Sequence, residues 1–170
     1  MEVRPAVRVP GSSASLARAI AAALDEVRAP APASIGLILT DDAELATLNA
    51  EHMGHRGPTD VLSFPLEPSP AFRLPPGRRP HLGDIVVSVE RAIEQAQTGR
   101  GGQTGDVQWS PTDELRLLVT HGTLHICGWD HATPSDEREM RALEQRLLGA
   151  SNSARRRMAA TGTIGARPSR

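Results

Sequence analysis

Residues 110–131 read SPTDELRLLVTHGTLHICGWDH, and this stretch holds both the best-punctuated helix and the candidate chemistry. Ser110, Pro111 and Asp113 supply a capping hydroxyl, a proline at the first helical position and an acid at the third, which together mark a helix start. Leu115, Leu118 and Leu124 give that helix an apolar face, and Gly128 can close it at its C-terminal cap. His121 and His125 lie four residues apart, so their imidazoles share one helical face about a turn apart. A chain reversal at Gly128 can bring in His131 as a third nitrogen ligand and leave a fourth tetrahedral position open, the pattern of a catalytic zinc. A lone histidine on a helix is ordinarily a packed or surface residue. Three of the six histidines within eleven residues, at helix-compatible spacing, favour a ligand set binding one zinc ion. Asp130 either orients one of these histidines or is a turn residue, and both readings stand. Cys127, two residues from His125, points to another face and is read as core.

The rest of the chain places this helix in an α+β fold: a small mixed sheet of about four strands packed with helices, with the metal-binding helix near the C-terminal end of the domain. Residues 2–9 alternate apolar and charged side chains, as a half-buried strand confined to an edge by Pro5. Ser12 or Ser13 caps a helix bearing Leu16, Ile20, Leu24 and Val27 at helical spacing. Ser34 to Thr40 reads as a second strand, and Asp41 with Glu44 resembles a capping box for a helix to about Glu51. Val61–Phe64 and Ile85–Ser88 read as central strands, separated by an exposed loop because residues 65–83 carry six Pro and two Gly. A helix over Val89–Gln97 precedes a Gly-rich loop, Gly99 to Gln108. Thr133-Pro134-Ser135-Asp136 starts a last helix through Leu148, ended by Gly149. Residues 1–149 then form a single domain, and residues 150–170 a basic, disordered tail.

Composition narrows the function. Two Phe, two Trp and no Tyr are too few rings for a base-stacking platform. The net charge of −1 excludes a uniformly basic coat, but it is uneven: residues 1–144 carry 13 Arg against 20 acids, while the remainder has six Arg and no acid. One cysteine allows no internal disulfide, and no N-terminal stretch has the layout of a secretory signal, so a cytoplasmic location is expected. No apolar run approaches the ~20 residues of a membrane span, so no membrane partner is expected.

His121 to His131 closely resembles the H-G-x-L-H-x-x-G-x-D-H motif of the YbeY family of bacterial zinc-dependent endoribonucleases. Pro58-Thr59-Asp60-Val61-Leu62-Ser63-Phe64-Pro65 resembles that family's P-T-D-V-L-S-F-P block, and Gly83-Asp84-Ile85 its G-D-I segment. The resemblance implies a single-strand-specific, metal-dependent endoribonuclease acting in ribosomal RNA maturation, at the 16S 3′ end, and in ribosome quality control. RNA, as ribosomal RNA or the small ribosomal subunit, would be the partner and one Zn2+ the cofactor. The family's arginine before the P-T-D-V block falls at Met53 here. Arg56 is the nearest substitute for a catalytic guanidinium, against a plain reading as a solvated surface residue.

Two other functions remain open. A zinc metalloprotease or other zinc hydrolase would share the ligands, although Gly122 stands where H-E-x-x-H proteases carry their general base. A ribosome-associated binding protein with a structural metal would need a fourth ligand, from His52, His55, His81, Cys127 or a carboxylate. Arg155, Arg156 and Arg157 form the densest basic run and could add salt-dependent phosphate contacts, an inert solvated tail being the alternative.

Overall fold

The structure is a computed structural model that describes residues 1–54, 57, 59–66, 78–98 and 110–161, with side chains to residue 149. Arg56, His55, most of the Pro-rich loop, the Gly-rich loop at 99–108 and the end of the tail lie outside the described residues. In chain order the elements are β1 (Glu2–Val3), α1 (Ser13–Glu26), β2 (Ser34–Thr40), α2 (Asp42–Leu48) with a π-helical turn Asn49–Met53, β3 (Val61–Pro65), β4 (His81–Ser88), α3 (Val89–Thr98), α4 (Pro111–Ile126) and α5 (Pro134–Thr161). The strands form one mixed sheet in the order β1-β2-β4-β3. β1, β2 and β4 run parallel, and β3 pairs antiparallel to β4 from Val61↔Val87 to Pro65↔Gly83.

Alternation along the strands divides the core between the two faces of the sheet. Leu37, Leu39, Ile85 and Val87 pack with Leu16 of α1, Ala92 of α3, and Leu115, Leu118 and Val119 of α4. Val86 and Leu62 turn to the opposite face and meet Leu45 of α2. The expected α+β class and four-stranded mixed sheet are therefore present.

Three boundary expectations need correction. Val61–Phe64 is an edge strand, not a central one; its apolar run reflects cover from α2 on one face and α4 on the other, not strands on both sides. The first strand is only Glu2–Val3, extended by one bond from the Arg4 N–H to the Leu39 carbonyl at 3.0 Å, because Pro5 has no N–H to continue the ladder. Gly149 does not end the last helix, which runs on to Thr161, so part of the segment expected to be a disordered tail is helical. A glycine costs about 1 kcal/mol against alanine in a helix, and the alanines and arginines that follow are strong helix formers.

α4 is the central helix: ten of its 16 residues are buried, and it packs on α1, α3, α5, β3 and β4. Its start is fixed as the sequence implies, with the Ser110 Oγ accepting from the Asp113 N–H at 3.2 Å and donating to the Asp113 carboxylate at 2.7 Å. Its end is a Schellman turn. Gly128 takes φ +85°, its N–H bonds the His125 carbonyl at 3.0 Å, and the Trp129 N–H bonds the Leu124 carbonyl at 3.0 Å.

At Gly122 the helix comes closest to the sheet. A Cβ there would sit 2.7 Å from the Ile85 Cγ2 and 3.1 Å from the Ser63 Oγ. The Ser63 hydroxyl donates to the Gly122 carbonyl at 3.2 Å, tying β3 to α4. Gly122→Ala should therefore overpack this contact and cost about 1–3 kcal/mol, read as a lower urea midpoint; an unchanged midpoint would show that the interface yields without strain.

Candidate metal centre

The three histidines converge. The Nε2 atoms of His121 and His125 face each other at 3.0 Å, and ring centroids of His131 lie 5.6 Å from His121 and 5.0 Å from His125. One ring nitrogen from each residue falls within 4.8 Å of the others, an arrangement that can hold a metal ion. His121 and His125 are half-buried on α4, and His131 is exposed beyond the Schellman turn.

The far sides of the rings decide which nitrogen is available. The His121 Nδ1 lies 2.7 Å from the Glu144 Oε1, so the Glu144 carboxylate accepts a hydrogen bond from Nδ1–H, and the Nε2 lone pair is directed into the site. Two imidazole nitrogens 3.0 Å apart require a proton or a cation between them. Tetrahedral ligands at the usual Zn–N distance are about 3.3 Å apart, so the His121–His125 pair is spaced for such an ion, and the His131 nitrogen, within 4.8 Å of both, has to draw in to complete the set.

Electrostatics favour the same state. Burial first, then the neighbouring His121 and His131, hold the His125 pKa below 6.5, against a rise from the Trp129 backbone and Asp130. Neutral imidazole is the form that binds a metal.

Asp130 acts on the backbone: its Oδ1 accepts the His131 N–H at 2.7 Å and so fixes the residue after the turn. The carboxylate that meets a ring of these three histidines is Glu144, on α5 and 8% exposed, which sequence reasoning missed. The available signal was an acid four residues after Met140 and next to Leu143, both buried, on the apolar face of its helix. Cys127, read as core, is part-buried at the cap of α4 with its thiol pKa raised by burial. Among the described residues neither it nor His52 or His81 nor any carboxylate joins the three histidines; His55 lies outside the described residues. Met53 is exposed at the end of the π-helical turn.

A cleft of about 210 Å³ opens beside His121 and His131, with Asp60, Glu137, Arg141 and Glu144 among its walls. A glutamate in place of Gly122 would run into Ile85 under the helix, so that position cannot host the general base of an H-E-x-x-H protease in this packing.

Residues 7–152 match the protein family described as Endoribonuclease YbeY. A protein of that name from Salinispora tropica is 43% identical over 141 residues, covering 79% of this chain and 85% of its own. Those from Roseiflexus sp. and Thermobifida fusca are each 39% identical, covering 81% and 82% of this chain and 82% and 86% of theirs. The solution structure of TM1509 from Thermotoga maritima shares the fold at a TM-score of 0.52 and 21% identity, with 98% of each chain covered.

Two outcomes follow from this geometry. Removing the carboxylate that orients His121 should weaken metal binding about 10–100-fold; Glu144→Ala titrated with zinc against a chelating dye reads this, and unchanged affinity would deny Glu144 that role. Because the folded pKa of His125 is depressed, the unfolded chain binds the proton more tightly, and the associated stability is present above about 6.5 and lost as pH falls through the lower folded value. Urea midpoints of metal-free protein should accordingly fall between pH 7.5 and 5.5, a range in which ordinary carboxylates stay ionised, and His125→Asn should flatten that fall.

Proposed function

The chain belongs to the YbeY endoribonuclease family, and from that premise we propose that it is a zinc-dependent endoribonuclease that cuts single-stranded RNA in ribosomal RNA maturation. The observation that carries this reading is the convergence of three histidine nitrogens beside an open cleft. His121, His125 and His131 are the proposed ligands of one zinc ion. When bound, such an ion supplies Lewis acidity toward a phosphoryl oxygen and lowers the pKa of water to about 7.

The chain's own residues prepare the site. Glu144 holds the His121 proton on Nδ1. The Schellman turn and the Asp130 carboxylate set the backbone of His131. Three ligands from a short segment leave a fourth tetrahedral position for water or substrate, and His121 and His131 line the cleft. At about 210 Å³ that cleft is smaller than the ~300–1,000 Å³ of pockets that enclose a whole small ligand. Its size suits a short part of a polymer, such as one phosphodiester with its sugars.

The finer reading follows the family resemblance: the 16S 3′ end as the processed site, a part in ribosome quality control, a cytoplasmic location beside the small subunit, and Arg56 as a guanidinium for charge developing on the phosphate. No helix among the described residues is long and apolar enough to cross a membrane. Residues 1–149 would make up the catalytic domain and residues 150–170 a basic extension of it.

Full-length protein should cleave a single-stranded RNA oligomer, lose the activity to a chelator and regain it with zinc. Casein and a duplex RNA should be spared. His131→Ala should lower zinc affinity and cleavage by more than about 100-fold, because changes outside the ligand shell already cost 10–100-fold. Full zinc content with full cleavage in His131→Ala would remove the third ligand; peptide hydrolysis without RNA cleavage would overturn the reading. Cells lacking the protein should accumulate 16S precursor with an unprocessed 3′ end.

A further inference from the structure

The cleft beside the histidines presents a polyanion with an electrostatic obstacle. Asp60, Glu137 and Glu144 line it, and Arg141 is the one guanidinium among the described residues that do. Two of the carboxylates have partners that hold them in place: Glu144 on His121 at 2.7 Å, and Asp60 on the Gln95 amide at 3.1 Å. Glu137, Arg141 and Glu144 follow one another at spacings of four and three residues on α5, so they share the helical face that turns to His121.

Arg141 is bound to Glu137 one turn earlier, and the two side chains are 45% and 49% exposed. An exposed pair at this spacing is weak and easily exchanged. A phosphate offers the same planar fork a stronger pair of charge-assisted bonds, and among the described residues that line the cleft Arg141 is the guanidinium that can make them.

Resting on the endoribonuclease reading above, we propose that Arg141 is a substrate-binding residue: its guanidinium leaves Glu137 for a phosphate of the bound RNA strand and thereby sets the strand's register past His121 and His131. Glu137 is then a competitor for that guanidinium, which the free protein keeps paired until RNA arrives. The two residues should have opposite effects when changed, an outcome that loss of general packing would not produce.

The test uses full-length, zinc-loaded protein and a fluorescent single-stranded 2′-O-methyl phosphorothioate RNA, with anisotropy at two salt concentrations and steady-state cleavage of the unmodified RNA. Arg141→Ala should weaken binding about ten-fold or more, raise KM with little change in kcat, and reduce the salt slope by about one. Arg141→Lys should recover part of the affinity, and Glu137→Gln should tighten binding. Zinc content should match the unmodified protein in every variant. If Arg141→Ala binds RNA unchanged, or loses kcat with KM intact, or loses zinc, the assignment of Arg141 is overturned while the endoribonuclease reading stands. If the unmodified protein neither binds nor cleaves RNA, that reading itself fails.

Discussion

The absence of a side chain at position 122 sets how near α4 lies to the sheet, and the direction of the site follows from it. With Gly122 pressed on Ile85 and its carbonyl bonded by Ser63, the rotation of the helix about its axis is fixed. At about 100° per residue, positions 121 and 125 then both fall to the same side of that contact, roughly 60–100° around the axis. Neither ring is driven into the core and neither stands clear in solvent. Both are turned to the flank where α5 passes, so the second helix can supply Glu144. The resemblance blocks, far apart in sequence, meet at this contact: Ser63 belongs to one and Gly122 to another.

Half-burial has an electrostatic consequence. A fully exposed trio of histidines would hold protons near neutral pH without much penalty, whereas a deeply buried one would have no path for substrate. Here burial and mutual repulsion keep His125 neutral, while Glu144 is itself taken out of water to 8% exposure. The desolvation of that carboxylate is offset by its short bond to His121, which makes it a weak source of stability but a strong source of orientation. The cost to the fold and the gain to the site thus fall on the same residue.

What could be read in the sequence divides along physical lines. Elements set by local chemistry were legible: the Ser110 cap, the Gly128 turn, the Asp41 cap whose carboxylate accepts the Glu44 N–H at 2.9 Å, and the α3 segment. The three histidines were legible because their spacing is itself helical. Expectations failed where the outcome depends on distant partners. Val61–Phe64 is as apolar as an interior strand because helices cover both its faces, and composition does not separate that case from flanking strands. The Asp41–Glu44 box is half-made, since Glu44 turns its carboxylate to Arg4 and Thr40, forty and four residues away, and its pKa is lowered by them. Gly149 has the composition of a stop, yet no left-handed turn follows, and α5 continues. Glu144 could be seen as an acid on an apolar stripe, but its partner depended on how α5 crosses α4.

The edge position of β3 connects these points to the proposed chemistry. A central strand there would have placed a further strand or its connection beside Asp60 and Val61, where the cleft now opens. With β3 at the rim, the cleft has α4 as its floor, α5 as one wall and a sheet edge as the other, and among the described residues no strand of the sheet lies beyond that edge. A polymer must be able to enter and leave a site without being threaded through it, and an edge-bounded cleft permits that. The buried helix therefore holds His121 and His125, and the turn at its end places His131. The walls come from elements whose exposed side chains can exchange partners, and those walls are where a substrate's phosphates would have to be recognised.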